Sequence, residues 1–352
     1  MDNMTALIGM SGGVDSSVAA WLTLQQGYRC LGLTLRLHDY GCGGSEDAMD
    51  ARAVANRLGI GHEILDGKQV FDTHVIRDFV QSYEACLTPN PCIQCNNHLK
   101  FGLMLRYALE QGWHYVVSGH YARIRRDPSN GRYLLYKAAD KTKDQTYFLA
   151  QLGQHQLSHI LFPLGELTKT EVRAIAEAQG FLNARKRDSQ DICFVPGGDY
   201  AAFLRQYTGK DYPEGDYLDL SGNVVGRHKG AVCYTLGQRK GLGLAMGTPV
   251  YVCSKDMQRN TVTVGPNEAL FSKALRAKDW NWIPFPALTA PLPVTAKIRH
   301  SQTEVPAMVI PEEQGHAQVE FETAQRAVTP GQAVVLYDGD LVIGGGTITQ
   351  AL

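Results

Sequence analysis

The sequence lacks a long apolar stretch and an excess of charge of one sign. No run in its 352 residues approaches the ~20 apolar residues that a transmembrane helix needs. No basic segment followed by an apolar core opens the chain, so no signal peptide is predicted. Lys and Arg number 34 against 35 Asp and Glu, which disfavours a surface wholly covered by nucleic acid. These absences predict a cytoplasmic globular protein without a membrane partner.

Both common nucleotide-binding loops are also missing. No Gly-x-x-x-x-Gly-Lys-Ser/Thr occurs, and no Gly-x-Gly-x-x-Gly opens a helix. Instead, the run Gly9-Met10-Ser11-Gly12-Gly13-Val14-Asp15-Ser16-Ser17 lies between a short apolar strand and a periodic helical segment. Its glycines let the backbone approach a ligand, and amide groups at a helix N-terminus attract anions. We therefore predict a phosphate-binding loop, in which Asp15 caps the helix or holds a metal ion that bridges phosphates.

The first half of the chain alternates strands and helices. This order predicts a doubly wound parallel sheet with ligands at the carboxyl ends of its strands. A hairpin is expected around residues 127–131, and a capping box at Thr168-Lys169-Thr170-Glu171 opens a later helix. After about Tyr207, short apolar runs separated by Gly, Pro, Asn and Asp predict two small β domains, with the proline-rich residues 284–293 between two β units. The predicted domains are 1–207, 208–275 and 276–352.

Eight cysteines in a cytosolic-looking chain suggest catalysis or metal binding rather than structural disulfides. Cys95 is predicted to lie beside a helix N-terminus capped by Asn96, which would favour its thiolate. Cys193 lies in a polar, glycine-rich segment, which also favours a catalytic or metal-binding role. For Cys92, the case for such a role is intermediate between these two cysteines and the remaining five. The other five are expected to be small buried apolar residues or, in the case of Cys42, a bystander thiol: Cys30, Cys42, Cys86, Cys233 and Cys253.

Basic residues are clustered in spite of the neutral total. Residues 227–255 contain Arg227, Lys229, Arg239, Lys240 and Lys255 and no acid. Shorter basic groups occupy residues 123–126 and 185–187. Each group alone is typical of a solvated face, but together they permit local docking of a polyanion.

The loop at residues 9–17 resembles the Ser-Gly-Gly-x-Asp-Ser loop of the ATP pyrophosphatase (PP-loop) superfamily. Further motifs occur in the order seen in the tRNA-specific 2-thiouridylase family: Asn90-Pro91-x-x-x-Cys95-Asn96, Gly119-His120-Tyr121, Lys143-Asp144-Gln145, Ile192-Cys193-Phe194, and Tyr234-Thr235-x-Gly237-Gln238-Arg239-Lys240-Gly241. The resemblance runs over essentially the whole chain. It implies a PP-loop domain of the adenine nucleotide alpha hydrolase-like type, a small central β domain and a C-terminal β-barrel.

The resemblance also implies a reaction, in which ATP with Mg²⁺ adenylates the C2 oxygen of the wobble uridine in the anticodon stem-loop of tRNA. A persulfide on Cys193, supplied by a sulfur carrier protein or a cysteine desulfurase, then provides sulfur. Cys95 would attack that persulfide, leaving a Cys95–Cys193 disulfide. The base must leave the stack of the anticodon loop to reach these groups.

Further site residues follow from the same resemblance. ATP-binding positions correspond to Gly9, Met10, Ser11, Gly12, Gly13, Val14, Asp15, Ser16, Leu35 and Gly119, where Leu35 replaces a frequent Met. The segment facing the target base corresponds to Asn90, Pro91 and Cys92. Other tRNA contacts correspond to Lys143, Asp144, Gln145, Arg299 and His300. From the residues alone, 143–145 also fits a helix start with Asp144 near its cap, and 299–300 is more typical of a surface pair on a strand.

Cys92 departs from the family pattern, which more commonly has Asp at this position. Cys92, Cys95 and Cys193 together supply three thiolates, which would suit a [4Fe–4S] cluster that holds sulfide on an open iron. A redox Cys-x-x-Cys pair and a zinc site with a further ligand are alternatives. Other functions also stay open: another PP-loop tRNA thiolase, an amidotransferase-type synthetase, or a non-catalytic RNA-binding or nucleotide-sensing protein.

Overall fold

The computed structural model of the chain describes residues 4–38, 45–186 and 192–352. Seven strands belong to its N-terminal part: β1 Thr5–Gly9, β2 Arg29–Arg36, β3 Gly61–Asp66, β4 Tyr115–Val117, β5 Ala122–Arg126, β6 Tyr133–Lys137 and β7 Ile160–Leu161. Five of these strands form a parallel sheet in the order β3-β2-β1-β4-β7. The predicted parallel sheet is therefore confirmed, and its strand order reverses between β1 and β4, where such sheets bind ligands.

Helices cover both faces of this sheet. They are α1 Val14–Gln25, α2 Ser45–Leu58, α3 Lys68–Phe71, α4 Arg77–Glu84, α5 Pro91–Cys95, α6 Met104–Glu110, α7 Gln154–Leu157, α8 Lys169–Ala178 and α9 Tyr200–Thr208. A π-turn, Asp72–Ile76, joins α3 to α4, and a π-helix, Asn96–Leu103, joins α5 to α6. Side chains alternate across β1: Ala6 and Ile8 pack with α1, α2 and α8, whereas Leu7 packs with Phe101 and Met104 on the opposite face.

The central β domain is a four-stranded sheet. Its strands are β8 Gly215–Leu218, β9 Val224–His228, β10 Tyr251–Asp256 and β11 Thr261–Gly265, in the order β10-β11-β8-β9. The apolar run 231–236 reads as a strand in the sequence, but that prediction is wrong. Residues Ala231–Cys233 form a 3₁₀ turn, which buries Ala231 and Tyr234 in the small core of this domain.

The C-terminal β domain is a closed barrel. Its strands are β12 Phe271–Trp282, β13 Leu292–Lys297, β14 Val305–Pro311, β15 Ala317–Arg326, β16 Ala333–Asp338 and β17 Leu341–Ala351. The barrel closes because the long strand β12 pairs with both β15 and β17. The proline-rich residues 284–293 connect β12 to β13, two strands of the same barrel. The prediction that these residues separate two β units is therefore wrong.

The predicted hairpin at residues 127–131 is confirmed as β5 and β6, but it does not belong to the parallel sheet. It extends the barrel sheet beside β17, where Tyr136 pairs with Leu341. The Lys137 ammonium lies 2.7 Å from the Glu304 carboxylate and 4.4 Å from the ring centre of Tyr337. The N-terminal domain thus contributes two strands to the sheet of the C-terminal domain.

Candidate active site

The loop between β1 and α1 lies at the carboxyl edge of the parallel sheet. Ser16 Oγ and Ser17 Oγ each donate to the Gly13 carbonyl oxygen at 3.0 Å, and the Ser11 amide donates to Ser16 Oγ at 3.2 Å. Gly12 has φ +68, and a Cβ there would lie 2.5 Å from the Asp47 carbonyl oxygen. The serines therefore fold the loop back on itself, and glycine is the residue that fits its tightest contact.

Asp15 does not cap the helix, contrary to the prediction. Gly13 is the N-cap residue of α1 and makes no side-chain cap bond. Both Asp15 oxygens instead accept from Lys169 Nζ, at 2.7 and 2.8 Å, and Oδ1 also accepts from the Tyr121 hydroxyl at 2.9 Å. Since Lys169 is buried and begins α8, the carboxylate is held by an ammonium group at the rim of the loop.

Two further residues fix the backbone of this loop. Asn183 Nδ2 donates to the Gly12 carbonyl oxygen and to Ser17 Oγ, both at 3.0 Å. Gly119, which follows β4, lies so close to the first turn of α1 that a Cβ there would be 2.7 Å from the Ser16 nitrogen. The remaining predicted ATP-binding positions line the same edge: Gly9 ends β1, Met10 is buried, and Leu35 lies near the end of β2.

The helix that carries Cys92 and Cys95 begins earlier than predicted. Asn90, not Asn96, is the N-cap: its side chain accepts from the Ile93 amide at 3.4 Å, and Pro91 occupies the first helical position. Cys95 consequently lies inside a continuous helical segment, at the end of α5 and directly before the π-helix Asn96–Leu103, rather than beside a free helix N-terminus. Asn96 is buried, and its amide donates to the Phe148 carbonyl oxygen at 3.1 Å.

Cys95 and Cys193 share one apolar cluster. Cys95 is buried in it beside Phe71, Phe79 and Phe194, and the partly buried Cys193 packs against the same cluster. Burial raises the pKa of the Cys95 thiol, an effect that the nearby ammonium of Lys100 opposes. The prediction that a helix N-terminus lowers this pKa is therefore wrong, because the thiol lies in the apolar interior.

The cysteines do not form a ready metal site. Cys92 is exposed, whereas Cys95 is buried. Across residues 4–38, 45–186 and 192–352, no three His, Cys, Asp or Glu side chains are grouped closely enough to hold a metal ion. The described residues therefore contain no preformed three-thiolate site, and the mechanism below includes no step through a cluster. Cys42 and residues 188–191 of the predicted cysteine loop lie outside the described residues.

The barrel supports the segment in front of these cysteines. The Thr88 amide donates to the Pro330 carbonyl oxygen at 2.9 Å, and Gln332 Nε2 donates to the carbonyl oxygens of Thr88 and Pro89 at 2.9 and 3.1 Å. Gly331 has φ +90, and a Cβ there would lie 2.8 Å from the Thr88 nitrogen. The C-terminal domain therefore fixes the start of α5, the helix that carries Cys92 and Cys95 and is called the cysteine helix below.

The triplet at 143–145 is divided between interior and surface. The Asp144 carboxylate is buried, where it accepts from the Ala138 amide at 3.0 Å and the Thr146 hydroxyl at 2.6 Å. Gln145 Oε1 accepts from the Tyr121 amide at 2.9 Å. Lys143 is partly exposed and positively charged.

The second predicted tRNA pair lies close to the same region. Arg299 donates to the carbonyl oxygens of Arg326 and Ala327, which fixes a barrel loop. His300 is exposed, and its ring centre lies 4.4 Å from that of Phe148, whose carbonyl accepts from Asn96. The pair at 299–300 is thus near the cysteine helix, with His300 facing solvent.

Several members of the predicted basic groups form ion pairs, and Arg187 lies outside the described residues. Arg123 and Arg125 pair with Glu166, and Arg185 pairs with Glu177. In the third group, Arg227 pairs with Asp216 and the ammonium of Lys255 is buried. The exposed charges of that group include Arg239 and Lys240, so the run 234–241 keeps its basic character.

Sequence reasoning missed four residues of this region. Lys169 was visible only as part of a capping box, and Tyr121 only as a neighbour of Gly119. Nothing in the local sequence marks Asn183, because its partner Gly12 lies far away along the chain. Nothing marks Lys100 either, because its position depends on the π-helix Asn96–Leu103.

Fold and site together define a class: a nucleotide-binding α/β protein with a phosphate loop and two clustered cysteines, continued by two β domains. Family models match all three parts. A "tRNA methyl transferase HUP domain" model covers residues 4–197, a "tRNA methyl transferase PRC-barrel domain" model covers 201–266, and an "Aminomethyltransferase beta-barrel domain" model covers 272–348.

Full-length relatives give the particular family. A tRNA-specific 2-thiouridylase MnmA from Acetivibrio thermocellus is 47% identical over 99% of this chain and 100% of its own length. Proteins of the same name from Clostridioides difficile and Heliobacterium modesticaldum are 46% and 47% identical, again over 99% of this chain. The chain belongs to the tRNA-specific 2-thiouridylase family.

Solved structures resemble the chain more weakly. The match to a 4-thiouridine synthetase in complex with RNA and bound ATP covers 58% of this chain and 50% of that protein's chain, with 16% identity and a TM-score of 0.40. The match to an NMN synthetase from Francisella tularensis covers 53% of this chain and 67% of that protein's chain, with 18% identity and a TM-score of 0.34. Likenesses at this level add nothing to the assignment. No helix in the described part of the chain is long and apolar enough to cross a membrane.

Proposed function

We propose that the chain catalyses the ATP-dependent 2-thiolation of the wobble uridine of tRNA. One observation carries the proposal: the same domain contains a phosphate loop and two cysteines that pack in one apolar cluster, in a chain 47% identical over its length to a tRNA-specific 2-thiouridylase. The names of the family models mention methyl transfer instead. The cysteine pair favours sulfur chemistry over methyl transfer.

The first step is adenylation of the base. The C2 oxygen of uridine attacks the α-phosphorus of ATP, an oxygen–phosphorus bond forms, the N3 proton is lost, and pyrophosphate leaves with the electron pair of the broken bond. The backbone amides of the first turn of α1 lack partners inside the helix, so they are available to the phosphates. Mg²⁺ would enter with ATP as part of the substrate, since Asp15 is already engaged by Lys169.

The second step delivers sulfur. The terminal sulfur of a Cys193 persulfide attacks C2 of the adenylated base, and AMP leaves with its bonding pair. The Cys95 thiolate then attacks the Cys193 sulfur, which breaks the sulfur–sulfur bond, releases the thiolated base and forms a Cys95–Cys193 disulfide. The shared cluster of the two cysteines supports this route. A dithiol reductant must restore the thiols after each turnover.

Partners follow from this chemistry. The persulfide requires a donor of the sulfur carrier or cysteine desulfurase class. We expect the anticodon stem-loop to approach α5 near the partly exposed Lys143 and the exposed His300, Arg239 and Lys240. A cytoplasmic location is proposed because tRNA and ATP occur there.

Mass spectrometry of tRNA nucleosides tests the proposal. Unmodified tRNA is incubated with the chain, ATP, Mg²⁺ and a persulfide donor, and 2-thiouridine is expected. Cys95→Ser and Cys193→Ser should each abolish the product, whereas Cys253→Ser, at a thiol in the central domain, should not. Appearance of 4-thiouridine or a methylated nucleoside in place of 2-thiouridine would contradict the proposal and identify the competing activity.

The alternative with a [4Fe–4S] cluster is favoured only by the presence of Cys92. Anaerobic purification followed by iron and acid-labile sulfide analysis decides between the two routes. Thiolation by iron-free protein, with Cys92→Ala still active, supports the persulfide route. Stoichiometric iron that is lost in Cys92→Ala supports the cluster.

A further inference from the structure

The start of the phosphate loop is anchored to the neighbouring strand β2. Met10 directly follows β1, and both polar atoms of its backbone are engaged. Its amide donates to the Leu33 carbonyl oxygen at 2.8 Å, and its carbonyl oxygen accepts from the buried Thr34 hydroxyl, also at 2.8 Å. A side-chain hydrogen bond from β2 therefore helps to fix the direction in which the loop leaves the sheet.

His62, a residue that the mechanism above does not use, is the second partner of this hydroxyl. Its Nε2 lies 2.9 Å from Thr34 Oγ1. It belongs to the edge strand β3, in register with Gly32 of β2. A Cβ at Gly32 would lie 2.6 Å from Met10 Sδ and 3.3 Å from His62 Cδ2. The missing side chain at position 32 thus leaves room for both the imidazole ring and the Met10 side chain.

The direction of each hydrogen bond in this group follows from the partners. A carbonyl oxygen only accepts, so the single hydroxyl hydrogen of Thr34 is directed at Met10. Towards His62 the hydroxyl oxygen must then accept, and His62 Nε2 must carry the hydrogen. His62 therefore donates to Thr34, which donates to the Met10 carbonyl oxygen.

The surroundings of the ring favour the same tautomer. His62 Nδ1 is buried and has no hydrogen-bond partner in the part of the chain that the structure describes. A hydrogen on this atom would be a buried donor without an acceptor, which is costly. Burial lowers the pKa of His62, the charge of Arg52 acts in the same direction, and the charge of Glu63 opposes both. The ring is therefore neutral at pH 7.

The peptide group after Met10 carries the effect of these bonds into the loop. Because a peptide group is planar and trans, the direction of the Met10 carbonyl sets that of the Ser11 N–H in the same group. This N–H donates to Ser16 Oγ at 3.2 Å, and Ser16 Oγ donates to the Gly13 carbonyl oxygen at 3.0 Å. A series of hydrogen bonds therefore leads from His62 on the edge strand to the first turn of α1.

We propose that His62 is a positioning residue of the ATP site, which acts through Thr34 to fix the Met10 carbonyl group and with it the phosphate loop. The inference rests on the proposed function, because that function assigns the loop to the phosphates of ATP. A loop that is ordered before ATP arrives does not have to be ordered by the binding energy of ATP, so the series of bonds strengthens binding.

The test uses two opposite replacements of His62. His62→Phe keeps a flat ring of similar size and loses the donor, whereas His62→Gln loses the ring and keeps an N–H donor on its amide. Thr34→Val, which removes the hydroxyl at nearly constant volume, interrupts the series at its other member and keeps the test decisive if His62→Phe does not fold. The double variant of His62→Phe and Thr34→Val completes a cycle.

His114→Phe is the matched control. Its Nδ1 lies 2.8 Å from Thr5 Oγ1, so it forms the same kind of pair at the opposite end of β1. Calorimetric titration with an ATP analogue that has a methylene group between the α- and β-phosphorus atoms measures affinity. Urea denaturation measures stability, and 2-thiouridine formation at varied ATP concentration gives kcat and KM.

His62→Phe and Thr34→Val should each weaken the affinity by about three- to tenfold, the loss expected for one hydrogen bond. The KM for ATP should rise by the same factor with kcat unchanged, because the series of bonds acts on binding. His62→Gln should stay within about twofold of the wild type. The double variant should bind no more weakly than Thr34→Val alone, since His62 acts through that residue. His114→Phe should leave both affinity and KM unchanged.

Three results would each overturn the inference. They are an affinity of His62→Phe within about twofold of the wild type, an equal loss in His62→Gln, which would show that ring packing matters and the donor does not, and additive losses in the double variant. The proposed function fails separately if the wild type binds the analogue but forms no 2-thiouridine, and the affinities then still decide on His62. A wild type that binds no analogue overturns both.

Discussion

Replacing Gly119 by alanine tests how the parallel sheet holds the phosphate loop. Gly119 follows β4, across the topological switch point from the loop after β1. A Cβ at this position would lie 2.7 Å from both the Asp15 carbonyl carbon and the Ser16 nitrogen, and 3.0 Å from the Asp15 oxygen. All three atoms are backbone atoms of the first turn of α1, so no side chain can rotate away to make room.

The magnitude follows from these distances. Ordinary Cβ contacts begin near 3.4 Å, so the two backbones must separate by roughly 0.7 Å in a close-packed interior. Overpacking of this kind costs about 1–3 kcal/mol of stability. The same displacement moves the amides of the loop by about a quarter of a hydrogen-bond length, enough to break one bond to the phosphates. Losing one bond from an amide to a charged phosphate costs about 1.5–3 kcal/mol, which predicts at least a tenfold weaker affinity for ATP.

Calorimetric titration with a non-hydrolysable ATP analogue measures the affinity, and urea denaturation measures the stability. Gly67→Ala is the matched control: this glycine is the N-cap of α3, and its Cβ would meet three leucine side chains at 3.5 Å, an ordinary contact distance. The control should change neither quantity appreciably.

Unchanged ATP affinity in Gly119→Ala, with the free energy of unfolding in urea lowered as expected, would refute the reasoning about the loop. It would mean that β4 and α1 separate without disturbing the phosphate site. Unchanged stability together with unchanged affinity would refute the packing argument itself.

Other residues give further expected outcomes. Lys169→Met should lower the free energy of unfolding by about 1–3 kcal/mol and weaken ATP binding, because Asp15 loses its ammonium partner. Lys169→Arg should retain most of the stability, measured by urea titration, and most of the ATP affinity, measured by calorimetry. Burial raises the pKa of the Cys95 thiol. The rate at which iodoacetamide labels Cys95, measured by peptide mass spectrometry, should therefore keep rising above pH 9, by about tenfold per pH unit. A plateau in this rate below pH 8 would contradict the prediction. Lys137→Met should cost about 3 kcal/mol by leaving Glu304 without its partner. The double variant with Glu304→Leu should recover much of that loss, and failure to recover would show that packing, not the unpaired charge, is responsible.

The phosphate loop and the parallel sheet were predictable because their signals are local. The run 9–17 contains the glycines, serines and carboxylate that form the loop, and the apolar strand before it is buried as expected. The capping box at Thr168 is equally local, and its side chain accepts from the Glu171 amide as predicted. Such features depend on residues within one or two turns of each other.

The errors concern competition between neighbouring signals and distant contacts. Asn90-Pro91 is itself a helix-start signal, and it prevails over Asn96 because Pro91 suits the first helical position. The burial of the Cys95 thiol depends on aromatic residues of α3 and α4 and on Phe194. No local sequence pattern reveals these contacts. The Asp15–Lys169 pair joins residues 154 positions apart, and only the closed fold brings them together.

The hairpin β5–β6 has a consequence for how the chain is made. Its partner strand, β17, is synthesised long after the hairpin, because β8 to β16 lie between them in the chain. Until Asp340 and Leu341 emerge from the ribosome, the edge of β6 has no strand to pair with. The hairpin therefore reaches its final pairing only after β17 has been synthesised, and a nascent chain that stops before β17 keeps an open β edge exposed to other chains.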